Sequence, residues 1–521
     1  MVQLGHSEPA VRLAIQAVSS LHAEVEKVEG NRIKQIDPAI LKNYNDAIHH
    51  LVKGSSDPLY VKAVIVALFV CIEFLTGNDE AAAIHINGGL KLLSDWRQHQ
   101  SISSPSDSSS SSGSSRGGTV SEHDLTDELA ATFSRLAVHS KVFGKRMFKL
   151  GYGSEDDTSQ DYYHFDSMAQ ARNEGFIVLS EAIGFVSRAT PTSYTQEGPP
   201  EELAREQEKT NTRILAWRRG FKDFARRYAM TLTQMQVRGG NMIQCLILCA
   251  YIWVSTCLSP YEEEYDKYTE EFQEVIDLAR SIIDIPEEYL CTNIGRFQLD
   301  MGIVPALHLT GARCRVPSIR KAAMEMLSTH HWREGLFDSY RSAQFIAICT
   351  ALEEQRKQEL MGLNDNELSD YLPCEGARIH FVGIDNEDVG PTEDYLVHSF
   401  YTKPYGAYGD WHVQQCTLPG NPKIVDLTPE TRSNIHAVPN SAYQMPKIHT
   451  GTHAYQNSGS FNPENFVDKM EKRCSFTLPS NVTKTFDEKS NGMFYMHLMG
   501  ANAFLHPNMR TDKEGHDALI I

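Results

Sequence analysis

Residues 311–327, GARCRVPSIRKAAMEML, carry side chains that admit three interpretations, two of which are binding sites. Cys314 lies between two arginines, and a basic pair, Arg320 and Lys321, follows a proline. The thiol could ligate zinc, and the cations could contact nucleic-acid phosphates. The third interpretation is the start of a packed helix whose cations pair with carboxylates of the same protein.

The spacing of these residues favours the packed helix. After Pro317, five apolar residues recur at the period of one helix face: Ile319, Ala322, Ala323, Met326 and Leu327. Cys314 has no cysteine or histidine at zinc-ligand spacing. The cations near the helix start oppose the helix dipole, so we expect them to pair with acidic residues elsewhere in the fold. These cations are Arg313, Arg315, Arg320 and Lys321.

Other catalytic and metal-binding patterns are missing or incomplete in the sequence. G-x-S-x-G, a Walker loop and H-E-x-x-H do not occur. His449 and His453 are four residues apart, but in a polar stretch without a helical pattern. Cys245 and Cys249 share a helix face in apolar surroundings, which indicates core thiols. We therefore predict a non-enzymatic protein with no catalytic, cofactor or metal site in this chain.

The composition is that of a globular protein with acidic character. Of 521 residues, 41% are hydrophobic and 22% charged, and the net charge is −18. This charge argues against tight nucleic-acid binding by the chain as a whole. The ten cysteines lie mostly in apolar runs, as reduced thiols of intracellular proteins do. The first residues lack the basic and apolar regions of a signal peptide.

A basic and aromatic stretch, residues 217–230 (WRRGFKDFARRYAM), admits two interpretations. It could form a nucleic-acid or calmodulin-type surface. The interpretation we favour is an amphipathic helix with its aromatic residues in the core and its arginines in solvent. The aromatic residues are Trp217, Phe221, Phe224 and Tyr228.

A second stretch, residues 239–261, contains no charged residue and approaches the length of a membrane span. Only residues 242–254 are strongly apolar, and Asn241 and Gln244 interrupt the run. We predict a buried core helix rather than a membrane-spanning one.

The chain divides into three segments. Residues 1–360 have helical patterns, and a Ser-rich segment at 101–121 has the composition of a flexible linker between helices of one domain. Residues 361–420 contain three strand-like stretches, RIHFVGID, DYLVHSFYT and WHVQQCTL. Residues 421–521 are rich in polar residues and proline, and we expect them to be mostly disordered. The predicted fold is all-α, a large multi-helix bundle or array with a small β-like segment.

Two blocks of the helical part resemble a known family. The late block is DMGIVPALHLTGARCRVPSIRKAAMEMLSTHHWREGLFDS. Its motif residues are Gly302, Pro305, Leu307, Cys314, Arg315, Pro317, Arg320, Glu334, Gly335, Leu336, Phe337 and Asp338. The early block is YNDAIHHL followed by VALFVCIEFLTGNDEAAAIHINGGLKLL. Together they resemble the regulatory (middle homology, fungal-specific transcription factor) domain of fungal zinc binuclear cluster transcription regulators, over about residues 8–355.

The resemblance implies a role in transcription control by RNA polymerase II in the nucleus of a fungus, with some protein also in the cytoplasm. It implies a homodimer, or a heterodimer with a full-length regulator, and contacts with co-regulators. Family members usually carry an N-terminal six-cysteine cluster with two zinc ions, which this sequence lacks. Zinc is expected only in that cluster, so we do not expect this chain alone to bind DNA sequence-specifically. We also expect no membrane binding.

Two explanations of the missing cluster stay open. We favour a mis-called start codon. The other explanation is a stand-alone regulatory domain that acts as a decoy, holding a full-length partner away from its second DNA half-site.

A helical-repeat, tetratricopeptide-like scaffold for protein interactions is the alternative class. Ala47 and Ala82 lie in similar helical contexts 35 residues apart, near the tetratricopeptide period. At least three repeats are normally needed for stability, and a third copy does not follow in the sequence.

Overall fold

The computed structural model describes thirteen α-helices and two small three-stranded sheets, which confirms the prediction of an all-α helical array. The described residues are 2–27, 36–53, 58–103, 122–143, 145, 147, 162–194, 197–283, 297–329, 331–361, 371–385, 395–409 and 411–419. The predicted tail at 421–521 and most of the Ser-rich segment lie outside them.

The chain divides into two compact units. Unit 1 comprises Met1–Ser140, Lys145–Thr158 and Phe504–Ile521, and unit 2 comprises Lys141–Gly144 and Ser159–Ala503. The expectation that residues 1–360 form one domain stays a prediction.

Four of the six helices of unit 1 form two successive hairpins, the second with the third and the fourth with the fifth. They are α1 (Val2–Ser7), α2 (Pro9–Lys27), α3 (Pro38–Lys53), α4 (Leu59–Thr76), α5 (Asp79–Ser103) and most of α6 (Glu122–Val142). Helix α2 packs against α3 and α4, and α4 packs against α5. Helix α5 continues to Ser103, three residues into the segment predicted as linker.

Unit 2 is built around one apolar helix. Its helices are α7 (Met168–Ala189), α8 (Glu201–Arg227), α9 (Gln234–Thr256), α10 (Thr269–Ile283), α11 (Val304–Arg313), α12 (Pro317–Thr329) and α13 (Ser339–Met361). Among the described residues of unit 2, 3-10 helices cover Thr190–Tyr194, Glu262–Tyr268 and Glu375–Ala377. Helix α9 contacts α7, α8, α10 and α11, so its apolar residues form the centre of the unit.

Two helices, α4 and α9, are long and apolar enough to cross a membrane by length and composition. In each, 61% of the most apolar window is buried within the protein, and core helices of soluble proteins meet the same criterion. Residues 239–256 of the uncharged run thus lie in a helix that packs in the core, as predicted, and this helix spans Gln234–Thr256.

Each unit 2 sheet has three strands. The first consists of β1 (Phe297–Gln298), β2 (Arg333–Glu334) and β3 (Phe337–Asp338), with β1 parallel and β3 antiparallel to β2. These two-residue strands are too short to show an alternating pattern, and the sequence did not predict them. The second sheet consists of β4 (Ile379–Asp385), β5 (Tyr395–Thr402) and β6 (His412–Pro419), all antiparallel. It confirms the three predicted strands.

The helix patterns read from the sequence are reproduced in unit 2. On α8, Trp217, Phe221 and Phe224 are buried, as the amphipathic interpretation of the basic stretch predicts. Two residues depart from that prediction: Tyr228 is half-buried, and Arg218 is mostly buried and pairs with Glu274. On α12, the five residues of the predicted apolar face are all buried.

Candidate functional site

Unit 2 contains a group of eight charged side chains, called here the arginine network. Its cations are Arg313, Arg315, Arg320 and Arg378, and its anions are Glu262, Asp266, Glu353 and Glu375. Each arginine pairs with Glu262, Glu353 or Asp266, as buried charges require, and Glu375 lies 3.1 Å from His380 Nε2.

Arg315 is at the centre of the network, and its side chain is fully buried. It donates to Glu353 Oε1 at 2.8 Å and to Glu262 Oε2 at 2.9 Å. Glu353 Oε2 also accepts from Arg320 at 2.9 Å. Glu262 Oε2 also accepts from Arg313 at 2.8 Å. Two carboxylates therefore bridge three arginines.

The network also binds the first strand of the second sheet. Arg313 donates to the carbonyls of Ile379 and His380, each at 3.1 Å. In return, the Ile379 N–H donates to Glu353 Oε1 at 3.0 Å. The network thus connects the α11–α12 turn and α13 to β4.

A second set of contacts holds the segment before β4. Arg378 donates to both carboxylate oxygens of Asp266, at 2.8 and 2.7 Å. Glu375 accepts from the backbone N–H groups of Glu262 and Glu263, at 2.9 and 3.0 Å. Such bidentate and charge-assisted bonds fix geometry as well as contributing energy.

The ionised form of the network is stable at neutral pH. Burial alone would raise the pKa of Glu353, but Arg315 and Arg320 lower this pKa to about 2. Burial opposes the charge of Arg315, yet Glu353 and Glu262 raise its pKa above the ordinary value. Because the donors are committed to carboxylates and carbonyls, this arrangement is suited to holding the fold rather than to proton transfer.

The predicted pairing of the cations near α12 is confirmed for three of them. Arg313, Arg315 and Arg320 all pair with carboxylates distant in sequence. Lys321 is exposed and lies 3.6 Å from Glu325 on its own helix. That contact is a solvent-exposed pair of small energetic value.

The cysteines singled out in the sequence lie in the core. Cys314 is buried, and burial raises the pKa of its thiol. Cys245 and Cys249 lie within reach of the carbonyls of Val275 and Ala306, at 3.8 and 3.7 Å. Among the described residues, no group of three or more His, Cys, Asp or Glu is arranged to hold a metal ion. His449 and His453 lie outside the described residues.

A buried carboxylate, Glu334, caps the start of α11. It accepts from the backbone N–H groups of Gly302, Ile303 and Val304, at 2.9, 3.0 and 2.9 Å. These N–H groups have no partner within the helix, and the helix dipole favours an anion there. A Cβ at Gly302 would lie 2.4 Å from Glu334 Oε1, so a larger residue here would displace this carboxylate from the cap.

The turn after Glu334 contains two more late-block residues with a structural role, Gly335 and Asp338. Gly335 has φ of 59°, a left-handed conformation suited to glycine, and its N–H donates to Gln298 O at 2.7 Å. Asp338 accepts from the Arg341 N–H at 3.0 Å and lies 2.7 Å from His331 Nε2. Burial opposes ionisation of Asp338, but His331 and nearby arginines lower its pKa to about 2.

The burial of Glu334 leads us to expect that the free energy of unfolding of the protein depends on pH. Burial raises the Glu334 pKa from 4.5 to about 7, against the opposing effect of its three backbone hydrogen bonds. Between these values the folded state binds more protons than the unfolded state, so the contribution of Glu334 to stability falls as pH rises.

Glu334→Gln removes this titration. The free energy of unfolding of wild type minus that of the variant should therefore decrease between pH 4.5 and about 7, and level off above that range. Urea titrations at several pH values measure this difference. A difference that is constant across the window would contradict the assignment.

Unit 1 contains a second polar cluster, the tyrosine triad, which consists of Tyr44, Glu73 and His85. The Tyr44 hydroxyl donates to Glu73 Oε1 at 2.7 Å and lies 2.9 Å from His85 Nε2. Tyr44 lies on α3, Glu73 on α4 and His85 on α5. Phe69 packs against both rings of the triad, with centroid distances of 4.9 Å to Tyr44 and 5.4 Å to His85.

The charge states of the triad follow from its burial. Burial raises the pKa of Glu73 and of Tyr44, and lowers that of His85 to about 4. Tyr44 therefore keeps its proton and His85 is neutral at pH 7. Since Tyr44 donates to Glu73, its oxygen accepts from His85 Nε2–H, which fixes the histidine tautomer. The triad ties three helices together through one hydroxyl.

Tyr44→Phe removes the hydroxyl donor of buried Glu73. We expect unit 1 to lose about 2 kcal/mol of stability, since a buried group is left with one fewer partner. Tyr60→Phe, on α4 of the same unit, is the matched control and should change little. Thermal unfolding followed by circular dichroism measures both variants, and equal midpoints for the two would argue against the triad.

Comparison of the chain with protein-family models, curated proteins and solved structures found no match. The class defined by the described residues is thus an all-α helical array with two polar clusters in its interior.

Proposed function

We propose that this chain is the regulatory, non-enzymatic helical domain of a nuclear transcription regulator of the fungal zinc binuclear cluster type. The observation that supports the proposal most is where the polar residues of the two resembling blocks lie. In the early block, Tyr44, Glu73 and His85 contact one another, although each lies on a different helix. Three polar residues of the early block, up to 41 residues apart in sequence, thus share one contact, and this supports the proposal.

The late block gives the same kind of support. Arg315 and Arg320 share the carboxylate of Glu353. Glu334 and Gly302 make one helix cap, in which each requires the other. These four motif residues thus make contacts inside unit 2, as expected of positions that define a domain.

A reporter assay tests the proposed role. The full chain is fused to an unrelated DNA-binding domain, and transcription from the matching operator is measured in a fungal host. We expect transcription to change relative to the DNA-binding domain alone, and the unfused chain to accumulate in the nucleus. Unchanged transcription together with exclusion from the nucleus would refute the proposal.

We further propose that the chain acts through a dimer partner and co-regulators, and does not read DNA alone. The net charge of −18 disfavours contacts with phosphates. Pull-down between two differently tagged copies, and with a full-length regulator, tests the association. Tight, sequence-selective binding of duplex DNA by the purified chain in a mobility-shift titration would contradict this part.

A helical-repeat scaffold is the second candidate, and the packing of unit 1 is what favours it. The hairpins α2–α3 and α4–α5 are consecutive and contact each other through α2 and α4. Ala47 and Ala82 are both buried, as equivalent repeat positions would be. Within the described part of unit 1 there are two such hairpins, fewer than the three that repeat arrays normally need.

A further inference from the structure

The connection between α8 and α9 exposes apolar side chains. Met230 is 97% exposed, Met235 59% and Val237 44%. Single exposed apolar residues are ordinary on protein surfaces, but here three lie within eight residues of sequence. Methionine side chains are flexible and polarizable, which suits them to contact with a partner surface.

Cations flank this apolar group on α8. Arg219, Lys222 and Arg226 are exposed and are spaced by three and four residues, so they share one face of the helix. The other face is fixed in the core by Trp217 and Phe221. We call the cations and the apolar residues together the basic tip: Arg219, Lys222, Arg226, Met230, Met235 and Val237.

The basic tip opposes the charge of the rest of the chain. Residues 217–240 contain six cations and one carboxylate, Asp223, whereas the whole chain carries −18. Glu274 neutralises Arg218, and Asp223 pairs with Arg226. Lys222 is 3.8 Å from Glu274. In the described part of the chain no carboxylate pairs with Arg219. Carboxylates thus offset part of the positive charge, and an excess of cations remains in residues 217–240, the stretch that contains the exposed methionines.

Hydrogen bonds at the end of α8 and at the start of α9 hold the conformation of the basic tip. Thr233 and Gln236 form a capping box at the start of α9, with bonds of 3.2 and 2.9 Å. At the end of α8, Arg227 donates to Phe165 O at 2.9 Å. The apolar residues are thus presented to solvent from two anchored helix ends, so little ordering is needed when a partner binds.

We propose that the basic tip docks an acidic segment of a partner protein in which carboxylates alternate with apolar residues. The carboxylates face Arg219, Lys222 and Arg226, and the apolar side chains cover Met230, Met235 and Val237. Charge complementarity selects this partner. A short peptide contacts only the tip, whereas an anionic membrane or a DNA duplex also brings its charge near the acidic remainder of the chain. The inference does not rest on the proposed function.

Fluorescence anisotropy of the full chain with a labelled synthetic peptide tests the proposal. In the peptide, Asp and Glu alternate with Leu and Phe. Met230→Ser with Met235→Ser, and separately Arg219→Glu with Arg226→Glu, should each weaken binding about tenfold or more, which corresponds to about 1.4 kcal/mol. Arg205→Glu with Lys209→Glu, exposed on the same helix, is the matched control and should leave the affinity nearly unchanged. Added salt should weaken binding of wild type more than that of the Arg219/Arg226 variant.

Four results would overturn the proposal. The first is the absence of peptide binding. The second is equal weakening by the control pair. The third is equal binding of a peptide whose Leu and Phe are replaced by serine, since the apolar contact would then have no role. The fourth is tip-dependent binding of phosphatidylglycerol vesicles or duplex DNA without binding of the peptide. Unchanged circular dichroism spectra establish that the variants are folded.

Discussion

Replacing Glu353 with alanine is expected to destabilise unit 2 by about 3–5 kcal/mol, because removal of one partner leaves buried charges uncompensated. Arg315 loses its bond of 2.8 Å and Arg320 its bond of 2.9 Å. The N–H of Ile379 loses its acceptor as well. The loss should be large because both arginines are almost completely buried and cannot recover hydration.

Urea unfolding followed by tryptophan fluorescence measures this loss, since four of the five tryptophans lie in unit 2: Trp217, Trp253, Trp332 and Trp411. Glu359→Ala on the same helix is the control. Glu359 is exposed and accepts a bond from Gln355 at 3.0 Å, so its removal should cost less than about 1 kcal/mol. Similar costs for the two variants would mean that the network contributes little to stability.

Two adjacent glycines of α5, Gly88 and Gly89, are expected to change stability in opposite directions when each is replaced by alanine. A Cβ at Gly89 would lie 2.2 Å from the ring of Phe133, whereas a Cβ at Gly88 meets no atom within 4 Å. Overpacking a core typically costs about 1–3 kcal/mol. Replacing an unconstrained helical glycine by alanine gains about 1 kcal/mol, because the unfolded chain loses freedom.

Thermal unfolding of the two variants provides the measurement. Gly89→Ala should melt below wild type and Gly88→Ala above it. The two substitutions are chemically identical and adjacent in sequence, so helix propensity cancels between them. A shift of the same sign and size in both variants would show that α5 and α6 are not in the close contact described here.

The spacing of apolar residues along the sequence predicted much of the fold, because this spacing shows which face of a helix or strand is buried. The apolar spacing on α12 and the aromatic spacing on α8 predicted the observed core faces. Alternation predicted β4, β5 and β6. The sequence does not distinguish Gly88 from Gly89 on α5, although only Gly89 lies against Phe133 of the neighbouring helix.

The polar clusters could not be predicted in the same way, because their members are far apart in sequence. Arg315 pairs with Glu353, 38 residues later, and with Glu262, 53 residues earlier. A signal does exist on α13, where Ile346, Cys349 and Glu353 share one buried face. A carboxylate at an apolar position requires a buried partner. The pattern shows that Glu353 needs a buried cation, but it does not show which arginine pairs with it.

The same reasoning applies to α4, which is apolar on nearly every face and carries one carboxylate, Glu73. That carboxylate had to find a donor in a neighbouring helix. The donor, Tyr44, lies 29 residues earlier. Only packing of α3 against α4 brings the two together.

Hydrogen exchange at β4 in Glu353→Gln tests the central claim most directly, namely that the late-block arginines serve the fold by holding the second sheet to the helices. The substitution removes the charge and keeps the shape. The amide of Ile379 and its neighbours in β4 should exchange faster than in wild type, while those of α8 and α9 keep their protection. Unchanged exchange throughout β4 would contradict the claim.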